Sequence, residues 1–277
     1  MRCWPVARSG VTKLFAAFAA GIFSCFPVAA AEPVDVELVL AVDVSLSMSP
    51  MELDIQRRGY VEALTHDAVL QAIRDGVHGR IAVTYFEWAG DTTQRVIVPW
   101  TVIASKEDAR AFVARLTARP PYSARRTSIS GALAFAADLF AESDFKGLKR
   151  VIDISGDGPN NQGVPVVSVR DALTADGITI NGLPLMTSSG FSGGFDIANL
   201  DLYYRECVIG GPGAFMVPVN DWTQFPEAIR RKLVLELAGR RPEGGDLPLV
   251  LAAGEQPYDC LIGEKQWNSR RWNWTTP

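Results

Sequence analysis

Residues Val36 to Val42 form an apolar run with almost no alternation, and the run passes directly into Asp43-Val-Ser45-Leu-Ser47. A strand with one wet face alternates apolar and polar residues. A run without alternation belongs to a strand covered on both faces, as in a parallel sheet between two layers of helices. Its polar end adds a second constraint. Side chains alternate along extended backbone, so Asp43, Ser45 and Ser47 send one carboxylate and two hydroxyls the same way. Oxygen donors of this kind suit a hard divalent cation such as Mg2+.

The remaining pattern alternates strands with helices. Ser49-Pro50 opens a helix, with Ser49 as cap and Pro50 in the first turn, and its apolar positions run from Tyr60 to Leu70, with an end near Asp75-Gly76. Arg80 to Phe86 and Arg95 to Pro99 read as strands joined by a hairpin at Asp91-Thr-Thr, which makes that edge antiparallel. Ser105 with Asp108 opens a helix whose apolar face is Phe112, Val113 and Leu116. Helices at Ser130–Phe140, Val166–Ala175 and Trp222–Ala238 then alternate with strands at Arg150–Ser155, Ile178–Leu185 and Ala214–Val219. This order predicts an α/β fold around a mostly parallel sheet, with helices on both faces. Ligand sites in such sheets lie beyond the carboxyl ends of the strands, where Asp43 to Ser47 falls.

The N-terminus reads as an export signal over residues 1–31. Arg2, Arg8 and Lys13 precede an apolar stretch from Leu14 to Phe26, and Ala29-Ala30-Ala31 offers a cleavage site. The apolar stretch is short for a membrane span, which needs about 20 residues. Ile22-Phe-Ser-Cys25 would be a lipoprotein signal only with a bulky Phe23 at a small-residue position. A periplasmic or secreted protein is expected, with one domain over 32–239 and a C-terminal extension over 240–277. Beyond residue 31 the chain holds 24 basic and 31 acidic residues, a net charge of −7. Such a balance offers no electrostatic case for nucleic acid. Cys207 and Cys260 remain after cleavage, and in an exported chain they are candidates for a disulfide that staples the extension to the body. Two unpaired buried thiols are the alternative.

Two further segments complete a candidate site. Arg125-Arg126-Thr127-Ser128 puts a threonine at the mouth of a helix, and Ile152-Asp153-Ile-Ser-Gly-Asp157-Gly puts an aspartate in a tight turn after a strand. Asp-x-Ser-x-Ser, then Thr, then Asp-Gly, in that order, resembles the von Willebrand factor type A (VWA) domain and its metal-ion-dependent adhesion site. The stretches Ser155 to Asn161 and Tyr203 to Phe215 resemble a bacterial exported family of such domains with no assigned function. The resemblance covers roughly 34–238 and implies a Rossmann-like VWA fold. It implies that Ser45, Ser47 and Thr127 bind Mg2+ (or Mn2+) through hydroxyls, and Asp43 and Asp157 directly or through water. A carboxylate from an acidic protein or peptide partner would take the open coordination position. Helix capping or turn formation explains either aspartate alone, but not five oxygen residues at three converging termini.

Other features have competing readings. Relatives commonly have glycine before the threonine, where this chain has Arg125 and Arg126. Two cations there would repel a metal and attract an anionic partner, or they are solvated surface residues. Asp153 either supports the site through a hydrogen bond or binds a neighbouring helix end. The glycine-rich segment Ser188 to Gly194 is expected to close over the ligand. Gly210-Gly-Pro-Gly lacks the following Lys and Ser/Thr of a phosphate loop. His66 and His78 form no zinc or triad pattern. The tail residues Trp267, Trp272 and Trp274, with Arg270 and Arg271, suit a partner surface or a cover for the domain, and the second is favoured. A non-enzymatic, metal-dependent binding module is the leading functional expectation. A metal-assisted hydrolase and a scaffold with a vestigial metal site are the alternatives.

Overall fold

The computed structural model describes residues 31–120, 122–187, 197–238, 250–251 and 258–275, with side chains up to residue 270. Residues 1–30 of the expected export signal, the glycine-rich segment Ser188 to Gly194 and most of residues 239–257 lie outside the described residues. Strand β1 (Glu32–Asp43) shows why its sequence does not alternate. Val36, Leu38, Leu40 and Val42 enter one hydrophobic core, and Val39 and Ala41 enter a second on the opposite face. Burying each large side chain contributes roughly 1.5–3 kcal/mol, so both faces of β1 hold the fold together.

Ser49 begins α1 (Pro50–Thr65) with a reciprocal cap: Glu52 N donates to Ser49 Oγ at 3.3 Å, and Ser49 N donates to Glu52 Oε2 at 2.7 Å. The helix does not continue to Asp75 as its periodicity suggests. His66 adopts extended backbone (φ −73°, ψ 137°) and its Nδ1 accepts from Ala68 N at 3.1 Å, which starts a new helix, α2 (Asp67–Arg74). The break turns Val69, Leu70 and Ile73 into the first core. An imidazole cap and buried apolar residues outweigh the cost of ending one helix early.

β2 (Ile81–Trp88) and β3 (Gln94–Ile103) pair antiparallel, as the hairpin pattern predicts. Then come α3 (Lys106–Thr117), capped by Ser105, α4 (Ile129–Ala141), β4 (Phe145–Gly156), α5 (Val166–Ala175) and β5 (Ile178–Pro184). A short α6 (Leu200–Tyr203) runs into one π-helical turn, Tyr204–Val208. β6 is only Phe215–Met216. Val217 N and Val219 N still donate to Gly182 O and Pro184 O at 3.1 and 2.9 Å, so the chain runs on beside β5 past β6, and Pro218 between them needs no N–H on that side. The chain closes with α7 (Phe225–Ala238), β7 (Val250–Leu251) and α8 (Ile262–Thr275).

The sheet runs β3-β2-β1-β4-β5-β6-β7, parallel except at its two outer pairs. Helices α1, α2, α3 and α7 cover one face, and α4, α5 and α6 cover the other. The chain leaves β1 for β2 on one side and returns as β4 on the other. The carboxyl ends of β1 and β4 therefore flank a topological switch point. Asp43 ends one of these strands, and Asp157 follows the other.

Candidate metal centre

Asp43 is wholly buried. Its Oδ1 accepts from Ser45 N at 2.7 Å, and its backbone carbonyl accepts from Gln56 Nε2 on α1 at 2.9 Å. The first bond closes a tight turn that aims the hydroxyls outward. Ser45 Oγ and Ser47 Oγ lie 2.9 Å apart, and both reach Asp157 Oδ1, at 3.4 and 2.8 Å. Four of the five predicted donors thus form one hydrogen-bonded group across the switch point.

Thr127 joins through its loop. Ala124 N donates to Val44 O at 3.1 Å and Leu46 N donates to Ala124 O at 2.9 Å, which ties this loop to the Asp-x-Ser-x-Ser turn. Asn161 brackets the threonine: Thr127 N donates to its Oδ1 at 3.0 Å, and Asn161 N donates to Thr127 O at 2.8 Å. A Cβ added to Gly158, next to Asp157, would lie 3.9 Å from Thr127 Oγ1, so the threonine hydroxyl faces the aspartate turn.

Electrostatics single out Asp43. Burial pushes its carboxyl well above the usual carboxylate range, and the negative charge of Asp157 pushes the same way, against hydrogen bonds from Ser45 and from the backbone of Asp157. Its Oδ2 is buried and accepts from none of the described residues. A buried carboxylate oxygen without a donor is costly. A divalent cation beside Asp43 and Asp157 would remove that cost. Among the described residues no cluster of three or more His, Cys, Asp or Glu could hold a metal. The donors here are two carboxylates and three hydroxyls, a set that fits a hard cation and not a soft one.

Three aromatic and amide groups that sequence reasoning missed complete the surroundings. A Cβ on Gly156 would lie 2.8 Å from Tyr204 Oη and 2.9 Å from Asp43 Oδ2, so the phenol and the carboxylate close on the same glycine. Tyr204 Oη and Trp88 Nε1 are both buried and have no hydrogen-bond partner among the described residues. Asn160 bridges elements: its N donates to Tyr203 Oη at 3.1 Å, its Oδ1 accepts from Ser130 N at 3.0 Å, and its Nδ2 donates to Glu264 Oε1 at 2.8 Å. Tyr204 and Asn160 had one sequence signal, membership of the two stretches that carry the family resemblance; Trp88 had none.

One expectation needs correction. Asp153 neither supports the site nor binds a helix end. It lies wholly buried on β4 with its Oδ1 2.6 Å from Lys232 Nζ, and that ammonium also pairs with Glu236, both on α7. A buried lysine stays charged only when such partners surround it. Arg126, the other candidate ligand contact, has its guanidinium under the indole of Trp267, 3.2 Å from the ring centroid. Arg125 is exposed beside it. Cys207 and Cys260 form a disulfide, so the tail is tied to the π-helical turn that carries Tyr204. Gly210 to Gly213 form a turn, with left-handed backbone at Gly211 and Gly213, that leads into β6.

Solved structures with this fold include proximal thread matrix protein 1 from the mussel byssus with a zinc-occupied MIDAS motif. It is 16% identical, with a TM-score of 0.51, over 75% of this chain and 48% of that one. The pilus adhesin SpaC from Lactobacillus rhamnosus GG is similar at 11% identity and a TM-score of 0.53, over 74% of this chain and 31% of that one. A von Willebrand factor type A protein from Catenulispora acidiphila matches at 14% identity and a TM-score of 0.49, over 74% of this chain and 43% of that one. The chain spans about half or less of the length of these proteins. No curated protein matches it. The seven-stranded, mostly parallel sheet between two helical layers is the fold of the von Willebrand factor type A class. Within that class the chain belongs to the family described as a protein of unknown function, DUF1194, whose model matches residues 33–241.

Proposed function

We propose that this module binds a divalent cation through Asp43, Ser45, Ser47, Thr127 and Asp157, and uses it to hold an acidic group of a protein or peptide partner. The observation that carries this reading is the orphaned, buried Oδ2 of Asp43 beside a hydrogen-bonded group of hydroxyls and a second carboxylate. Two carboxylates and three neutral hydroxyls only just balance a dication, and a bound cation would supply an electrophilic position for a carboxylate from outside. Asp157 and Ser47 are partly exposed, so a partner can reach that side. The zinc-occupied MIDAS of a structural neighbour supports a divalent metal in this fold, and the adhesin among the neighbours supports a role in binding.

The acidic reading of the partner follows from charge. Arg125 stands exposed next to the site and would favour an anionic group. Export is supported by the apolar N-terminal stretch and by the disulfide, which persists in oxidising compartments. Among the described residues no helix is long and apolar enough to cross a membrane.

Calorimetric titration of residues 32–277 with Mg2+, Mn2+ and Zn2+, beside Asp43→Ala, tests the metal. One cation per chain in the wild type and none in the variant is the expected result. Equal uptake by both proteins, or none by the wild type, rejects this site. A second titration with an acidic peptide library, with and without EDTA, tests the partner class. Retention of the same peptides in EDTA would remove the metal from recognition.

A further inference from the structure

Arg126 is the only non-glycine residue with positive φ (+80°) among the described residues. It immediately precedes Thr127. Left-handed backbone crowds the Cβ of any L-residue, and such positions persist where surrounding structure holds them. Nothing in the arginine itself favours this conformation, so the restraint must come from its contacts.

One such contact comes from the C-terminal extension. The indole of Trp267 on α8 has the Arg126 guanidinium over its face, 3.2 Å from Cζ to the ring centroid, close enough for both dispersion and cation–π attraction. The helix is well placed to do this. Its Gly263 packs so tightly on the Asn160 carbonyl that no side chain would fit, and Glu264 Oε1 accepts from Asn160 Nδ2 at 2.8 Å. Ile262 packs against the second core, and the Cys207–Cys260 disulfide anchors the segment just before the helix. Helix α8 therefore touches both metal loops, one through Arg126 beside Thr127 and the other through Asn160, three residues after Asp157.

We propose that Trp267 is a positioning residue of the metal centre: by clamping Arg126 in its left-handed conformation it holds the loop that presents Thr127. The extension is then a wall of the site and not a separate interface. Magnitudes agree with this role. The left-handed penalty and a partly desolvated cation–π contact are each worth roughly one order of magnitude in a conformational equilibrium. Without the indole, the loop loses this part of its bias toward the binding conformation and keeps the part that Asn161 and Val44 supply. The part of this inference that concerns Thr127 as a ligand rests on the metal reading above; the clamp on the loop does not.

Amide hydrogen exchange over residues 124–128 in the metal-free chain, with Mn2+ titration of the same proteins, tests it. Trp267→Leu keeps apolar bulk and removes the electron-rich face. It should speed exchange in this segment about tenfold and weaken Mn2+ binding about tenfold. Trp267→Phe should stay within about threefold of wild type, since an aromatic face remains. Glycine takes positive φ without penalty, so Arg126→Gly in the Trp267→Leu background should restore both readouts to within about threefold. Unchanged exchange in Trp267→Leu, or no rescue by Arg126→Gly, overturns the clamp. If exchange responds as expected while the wild type takes up no Mn2+, the clamp stands and the metal reading falls.

Discussion

Ser47 Oγ donates to Asp157 Oδ1 at 2.8 Å, joining the loop after β1 to the loop after β4 across 110 residues of sequence. This bond spans the point where the strand order reverses, and the two ends it connects are where an α/β sheet leaves a crevice. Asp157→Asn keeps an oxygen for both serines and removes one charge. In EDTA the variant should be more stable than wild type, because the negative charge of Asp157 is part of what pushes Asp43 upward. With saturating Mg2+ the order should reverse. Outer-sphere partners alone are worth roughly 10–100-fold in metal affinity, so loss of a direct charged ligand should exceed tenfold. Paired thermal melts with and without the metal would show either the crossover or its absence.

Gly156→Ala probes the wall behind Asp43. The new methyl would sit under 3 Å from both Tyr204 Oη and Asp43 Oδ2, closer than atoms pack. Overpacking of this kind costs about 1–3 kcal/mol. Adding Tyr204→Phe removes one of the two colliding oxygens and should recover part of the loss, which urea denaturation of the single and double variants would measure.

Lys232→Met would leave Asp153 and Glu236 buried without their shared cation. Breaking a buried ion pair from one side costs about 3–5 kcal/mol. Replacing all three by apolar residues of similar volume should cost far less, because the carboxylates leave with the ammonium. A triple variant no more stable than Lys232→Met would show that the group matters for packing and not for charge.

The same group sets a pH dependence. Burial, with the charge of Asp153, pushes Glu236 up to about 7 from its usual 4.5, against Lys232 and Asn181. Over that window the native state keeps a proton that the unfolded chain has released. Stability of the metal-free protein should therefore fall as pH rises from 4.5 to about 7 and level off above it. Glu236→Gln can still accept from Asn181 and does not titrate, so its stability curve should be flatter across the window. A slope identical to wild type would place the titrating group elsewhere.

Cys260→Ser tests the staple. Loss of a native disulfide typically costs about 2–5 kcal/mol. The variant should also expose residues 258–270 to protease in the folded state, since α8 loses its covalent anchor and is held by non-covalent contacts, among them Ile262 on the second core, Glu264 to Asn160 and Trp267 to Arg126. Digestion fragments mapped by mass spectrometry would show cleavage there before the body of the domain, or an unchanged pattern.

Much of this protein was readable without coordinates. Unalternating Val36–Val42 meant a strand buried on both faces, the reciprocal caps at Ser49 and Ser105 marked helix starts, and the three oxygen-bearing loops appeared in order. These features are legible because capping, pleat and periodicity act over a few neighbouring residues. What only the tertiary structure decided involves partners far apart in the chain. His66 ends a helix that its periodicity would continue, Asp153 faces a lysine 79 residues away, and Tyr204 closes on Asp43 behind Gly156. Arg126 reads as a surface cation until Trp267 is seen to cover it. Local preference is worth a fraction of a kcal/mol per residue, whereas desolvating a charge costs several and must be compensated by whatever group the fold brings alongside. The sequence by itself determined the central strands, the caps and the candidate ligands; folding decided the short edge strands and which buried charges are paired, and with what.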